Sequence, residues 1–236
     1  MIRKVKSRMH PQSKNDKVLG WEVHDHLVSL GIETPMITPE RSADERLELL
    51  EESFENIMRV LGLDLMDDSL KETPRRLASM YLNEIFWGMD CNNFPKCTSI
   101  RNSLKQVDVH GSFVLEKGIR VSSTCEHHFV PIDGKATVAY IPREKILGLS
   151  KLNRIVEYFC KRPQVQERLT EQIRAAMSYV AETSDVAVFI DATHFCVKTR
   201  GIQDVGSSTV TLSVGGVFAK ETSDIRREFL NLARMP

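Results

Sequence analysis

Ile119-Arg120-Val121-Ser122-Ser123-Thr124 and Ala136-Thr137-Val138-Ala139-Tyr140-Ile141 flank the pair Asp133-Gly134, and this stretch decides the fold. Both segments are rich in β-branched residues, and Asp-Gly is a strong hairpin signal. The reading is two strands that turn at Asp133-Gly134. Val107 to Leu115 has the same character and gives a strand ahead of them. Downstream, Ser150–Cys160 and Pro163–Glu182 read as helices. Val186–Lys198 and Ser207–Phe218 then return to strand character, separated by Gly201 and Asp204.

Upstream the signals are helical. Asp16 caps a segment running to Gly31, with Leu19, Val23, Leu27 and Leu30 on one face. Ser42 and Glu45 form a capping-box pattern ahead of Leu47, Leu50, Phe54, Ile57, Met58 and Leu61. Thr73-Pro74 opens a third helix, where the missing proline N–H costs nothing. Asp90 to Ser103 reads as a loop, and Ile225–Ala233 as a closing helix. Three helices, a β-β-β-α-α-β-β unit and one helix give an α+β fold with an antiparallel sheet backed by a helix pair. The expected division is a basic tail over 1–17, a helical region over 18–89 and a catalytic unit over 104–236.

At 236 residues the chain is long enough for one sizeable core. Lys plus Arg equals Asp plus Glu at 32 each, so no overall field favours nucleic acid or a membrane surface. An anionic ligand therefore needs a local cationic cluster. No stretch has the apolar length of a membrane span. Six basic residues and one acid occupy the first 17 positions without the apolar core of a secretory signal, which reads as a frayed tail. Five cysteines, an odd number without the density of a disulfide scaffold, point to a reducing, cytoplasmic setting.

The sharpest chemical feature is Cys125-Glu126-His127-His128, followed about seventy residues later by His194-Phe195-Cys196. These two clusters hold five of the chain's twelve Cys and His residues. Taken singly, each is ordinarily a buried thiol or a hydrogen-bonded imidazole. Together they are a thiolate and imidazole set suited to zinc. A strict strand pleat puts Cys125 with His127 on one face, and His194 with Cys196 on another. Four such ligands close a structural site. A turn just after Cys125 instead pairs Cys125 with His128 and frees His127. Spacing leaves both arrangements open.

Beyond these clusters, several motifs occur in a fixed order. Ser123-Thr124-Cys125-Glu126-His127-His128-Phe129-Val130 resembles the signature of the GTP cyclohydrolase I family. Gly148-Leu149-Ser150-Lys151-Leu152-Asn153-Arg154, Gln164-Val165-Gln166-Glu167-Arg168-Leu169-Thr170 and His194-Phe195-Cys196-Val197-Lys198-Thr199-Arg200-Gly201 resemble its other motifs. Glu72-Thr73-Pro74-Arg75-Arg76 and Arg226-Arg227-Glu228-Phe229-Leu230 also fit, so the likeness runs from about Gly31 to Arg234. The departures lie in the basic tail, the Cys91–Cys97 loop and Arg227.

The resemblance implies a zinc-dependent hydrolase converting GTP and water to 7,8-dihydroneopterin triphosphate and formate. It implies Cys125, His128 and Cys196 as metal ligands, with His127 as the acid toward N7 of the purine and His194 as a second acid–base. It implies Gln166 and Glu167 at guanine, and Arg76, Ser150, Lys151, Arg154 and Arg200 at the triphosphate. Ser150 belongs to the catalytic set as well, and reads as the N-cap of its helix. The implied fold is the tunnelling fold, with sheets of five subunits closing a barrel, two pentamers stacking into a decamer, and active sites between subunits. Cys91, Cys97 and Cys160 then read as plain thiols, and His10, His24, His26 and His110 as surface or packing residues. Two other classes compete: a zinc deaminase, which needs a Cys-x-x-Cys that this chain lacks, and a binding module with a closed Cys₂His₂ site.

Overall fold

The computed structural model describes residues 14–103 and 113–235. Most of the basic tail, with His10, lies outside them, as do His110 and the 107–112 part of the expected first strand. Asp16 Oδ1 accepts from Leu19 N at 3.1 Å and starts α1 (Lys17–Ser29), which buries Val23 and Leu27 and leaves Leu30 exposed. Ser42 and Glu45 form the reciprocal cap of α2 (Ala43–Val60). Pro74 sits in the first turn of α3 (Thr73–Met80), which continues as a π-helical turn over Tyr81–Ile85.

The segment read as a loop contains β1 (Ser99–Arg101). Then come β2 (Val114–Cys125), β3 (Pro131–Tyr140) and β4 (Lys145–Leu147), which pairs with β1. The helix pair α4 (Leu149–Cys160) and α5 (Gln166–Ala181) is interrupted by β5 (Pro163–Gln164). β6 (Val186–His194) passes into a single turn, α6 (Phe195–Lys198). β7 (Thr209–Val214) and α7 (Asp224–Arg234) close the chain.

The sheet order is β5-β2-β3-β6-β7, antiparallel except for the two-residue parallel contact of β5 with β2. Two expectations are corrected here. Asp133-Gly134 is no turn, because both residues lie inside β3, opposite Ser122 and Val121. Gly134 answers a steric need instead: a Cβ there would lie 2.2 Å from the Asp191 carbonyl oxygen of β6. Nor is Ser150 an N-cap. Gly148 occupies that position and Ser150 is the second helical residue, exposed. Gly148 N is already tied to Thr98 O at 3.1 Å as β4 ends, so the helix starts one residue after it.

The core lies between the sheet and the α4–α5 pair, with Val121, Ile132, Val138, Leu152, Ile155, Phe159, Leu169 and Ile173 fully buried. Each such side chain contributes roughly 1.5–3 kcal/mol. Val23 and Leu27 of α1 join the same core. Beside it Arg162 is buried at 1% exposure and fully partnered. Its guanidinium donates to Gly88 O at 2.8 Å, Tyr158 Oη at 2.8 Å and Glu33 Oε1 at 2.5 Å. Glu33 follows α1, so this charge pair fixes the N-terminal segment against the end of α4.

Candidate metal centre and active site

The hairpin turn between β2 and β3 is the chemical motif itself. The ladder ends at Thr124↔Pro131, and Cys125 N donates to Val130 O while Phe129 N donates to Cys125 O, both at 2.9 Å. Four residues, Glu126 to Phe129, make the reversal, with Phe129 in the left-handed region at φ +52°. Because the chain turns directly after Cys125, the strand-pleat pairing of Cys125 with His127 does not occur. His128 comes back instead, its Nδ1 3.9 Å from Cys125 Sγ.

The strand expected to run to Lys198 stops within the second cluster. β6 ends at His194, and Cys196 stands on the one-turn helix α6. Ile132 of β3 pairs with His194, so the end of β6 lies one strand away from the turn. One ligand atom each from Cys125, His128 and Cys196 then lie within 4.8 Å of one another. Among the described residues this is the one Cys/His/Asp/Glu group so arranged. Cys125 is buried, Cys196 half-buried and His128 exposed, so the group opens toward solvent on the imidazole side. Burial raises the Cys196 thiol above its usual value, as does the neighbouring Cys125 sulfur, and Arg200 opposes the shift. A cation held beside the Cys196 sulfur opposes that rise. The donor set therefore fits a soft or borderline divalent metal.

The start of α5 meets the same end of the sheet. Gln166 is buried, and its amide nitrogen donates to Thr209 O at 2.8 Å and Ile190 O at 3.3 Å. Carbonyls only accept, so the amide oxygen must face His194 Nε2, 2.8 Å away. His194 thus donates from Nε2, and in its neutral form keeps Nδ1 as acceptor. Burial lowers its pKa, and the nearby Glu167 carboxylate opposes this. Glu167 itself is exposed at the head of α5. His127 is exposed at the tip of the turn, with Glu126 Oε1 3.7 Å from its Nε2.

The basic residues are spread more widely. Arg200 lies near Cys196, just beyond α6. Arg76 is exposed on α3. Ser150, Lys151 and Arg154 are at the start of α4, where Asn153 Nδ2 donates to Glu116 Oε1 at 3.1 Å. Glu116 is near the opposite end of β2 from Cys125.

Sequence reasoning passed over Arg168 and Glu126. Taken as a solvated residue of α5, Glu167 has Arg168 or a neighbour of Glu171 for partner. In the fold Glu171 pairs with Arg174, whereas Arg168 reaches across to Glu126. Glu126 stood inside the motif, and its acidic character beside two histidines was the available signal. Cys97 and Cys160 are pushed up to about 12 by burial, which fits inert thiols. His24 is paired with Glu33 at 2.8 Å and His26 lies against the Tyr179 ring.

Fold and site define an α+β protein with a two-thiol, one-imidazole cluster set in a hairpin turn. Comparison with known sequences gives the family. The family model for GTP cyclohydrolase I matches residues 50–234. "GTP cyclohydrolase 1" of Haemophilus influenzae (strain PittEE) is 55% identical over 208 residues, 88% of this chain and 93% of that protein. That of Pasteurella multocida is 54% identical over 211 residues (89% and 94%), and that of Yersinia enterocolitica 53% over 212 (90% and 94%). The chain belongs to the GTP cyclohydrolase I family. Among solved structures, an archaeosine synthase QueF-Like in the apo form aligns at 19% identity and TM-score 0.38, over 44% of this chain and 94% of that one.

Proposed function

We propose that this chain converts GTP and water to 7,8-dihydroneopterin triphosphate and formate. The supporting observation is the meeting of Cys125, His128 and Cys196 with His194 and the head of α5 at one end of the sheet. Three protein donors suit a catalytic rather than a closed zinc site. Zinc held by these residues supplies the Lewis acidity that makes water a nucleophile near neutral pH.

The chain's own side chains do the rest. His127 protonates N7 of the purine, which turns C8 into an electrophile for water. His194, oriented by Gln166, moves protons in the later ribose opening and rearrangement. Glu167 accepts from N1–H and the 2-amino group of guanine, donors that adenine lacks. The triphosphate is held by Arg76, Lys151, Arg154 and Arg200, with the amides of the α4 N-terminus around Ser150.

Both the charge placement and the sheet edges support a site completed by a second copy. α4 has twelve residues, about 18 Å at its helical rise, and its first turn lies at the far end of β2 from Cys125. This placement supports α4 cations that serve the metal cluster of another copy rather than their own. Among the described residues, β7 pairs on one side alone and leaves Val210 and Leu212 exposed. The outer side of β2 is paired, among the described residues, through Thr124 and Cys125 alone. Open edges of this kind join between copies, and we propose a tunnelling-fold barrel of five subunits, two such rings forming a decamer. Residues 104–236 are then the catalytic unit, and 18–89 the helical cover outside the barrel. Among the described residues no helix is long and apolar enough to cross a membrane. Five free cysteines support a cytoplasmic, reducing location.

The test is to incubate zinc-loaded protein with GTP. One formate per GTP and, after oxidation, a fluorescent pterin support the reading. Release of ammonia without formate overturns it in favour of a deaminase, and four protein ligands without water at the metal overturn it in favour of a structural site.

A further inference from the structure

The turn from Glu126 to Phe129 contains no Gly, Asn or Pro, and one of its bulky residues is left-handed. Such a reversal does not hold its shape by local preference. Its support comes from outside. On one flank the Phe129 ring packs against Phe86 and Tyr81, with centroids 5.3 and 6.1 Å away. On the other, Glu126 N donates to Gln164 O of β5 at 3.0 Å, and the Glu126 carboxylate is paired with the Arg168 guanidinium.

The same guanidinium donates to Pro163 O at 3.2 Å and Gln164 Oε1 at 3.4 Å. Its fork thus spans β5 and the turn at once, with Arg168 and Glu126 side chains only 16% and 23% exposed. Gln164 is fully buried and donates to Gln172 Oε1 at 2.8 Å. Gln172 in turn donates to Ile32 O at 2.8 Å and Thr34 Oγ1 at 3.1 Å. The frame that holds Arg168 is therefore rigid and continuous back to the N-terminal segment.

We infer that Arg168 is a positioning residue: acting through Glu126, it holds the turn so that Cys125 and His128 meet Cys196 at metal-binding spacing. This rests on the metal reading above. Arg168 touches neither metal nor substrate in this role. A lysine keeps the charge but, as a single point donor, does not span carboxylate, carbonyl and amide together.

The experiment compares zinc-loaded wild type with Arg168→Gln, Arg168→Lys, Glu126→Gln and the Arg168→Gln/Glu126→Gln double variant. Zinc affinity is read by competition with a chromophoric chelator, and steady-state kinetics with GTP separate kcat from KM. Groups that orient ligands without touching metal are worth about 10- to 100-fold in affinity. Each Gln variant should weaken zinc by that range and lower kcat more than it changes KM, and Arg168→Lys should recover only part. The double variant should be no worse than the poorer single. Wild-type zinc affinity in either single variant overturns the inference, as does a double variant equal to the product of the singles. If Arg168→Gln does not fold, Glu126→Gln decides on the same readout. A wild-type chain that binds no zinc overturns the metal reading itself, whereas a zinc-replete wild type with unmoved variants overturns this inference alone.

Discussion

His127 and His128 are neighbours with different expected duties, and metal content separates them. His127→Ala should keep about one zinc per chain while ring opening slows by roughly 10²–10⁴-fold, the span of general acid–base catalysis. His128→Ala should lose zinc, because two thiolates remain. A zinc-free His127→Ala beside a zinc-replete His128→Ala reverses the assignment. Ser123 gives a second test at this scale. Its Oγ is the buried side-chain polar atom without a hydrogen-bond partner among the described residues. Ser123→Ala removes that unsatisfied group, so stability should rise by about 1 kcal/mol. A lower melting temperature in the variant means the hydroxyl has a partner in solution. The cluster residues were legible in sequence because cysteine and histidine are scarce here. Spacing did not say which of them converge, since that depends on a turn made of residues that do not favour turns; the family resemblance implied Cys125, His128 and Cys196.

At the scale of elements, caps that bond within their own first turn were readable, whereas the Ser150 cap and long-range contacts were not. Asp16, Ser42 and Glu45 act within three residues of the helices they start, so local sequence carries them. β1, β4 and β5 were missed because they have three, three and two residues, and only pairing partners define them. The false turn at Gly134 has the same origin: the glycine is required by β6, some sixty residues later. The Glu33–Arg162 pair is another contact of long reach. Glu33→Ala leaves a buried guanidinium short of its counter-charge and should cost about 3–5 kcal/mol, measured by urea unfolding at fixed protein concentration. Adding Arg162→Met should recover part of the loss. A neutral Glu33→Ala shows that the pair does not fasten the segment after α1.

For the whole molecule, the separation of the α4 cations from the metal cluster makes complementation the decisive measurement. On the proposed reading Cys196→Ser loses a metal ligand and Arg154→Ala a phosphate contact, so each alone should be inactive or nearly so. Refolded together, the two should form mixed rings in which some junctions join an intact metal end to an intact α4. With random mixing about a quarter of junctions are whole, and activity should return to about that fraction. Absence of recovery in mixed oligomers means each chain builds its own site. The family resemblance implies sites between subunits, but motif order alone does not say which chain supplies which motif.

The turn from Glu126 to Phe129 also sets how this chain tolerates change in length. In a hairpin, turn length fixes register, and a slip of one residue sends every side chain to the opposite face. β2 and β3 share a ladder running from Val114↔Tyr140 to Thr124↔Pro131, and Ala136, Val138, Ala139 and Tyr140 are all fully buried. One residue inserted after His127 either carries His128 away from Cys125 or shifts that ladder. The exposed residues 201–208 between α6 and β7 do not set the β2–β3 register. Chemistry and register are thus counted out by the same four residues, so this is the loop whose length cannot drift without loss of both.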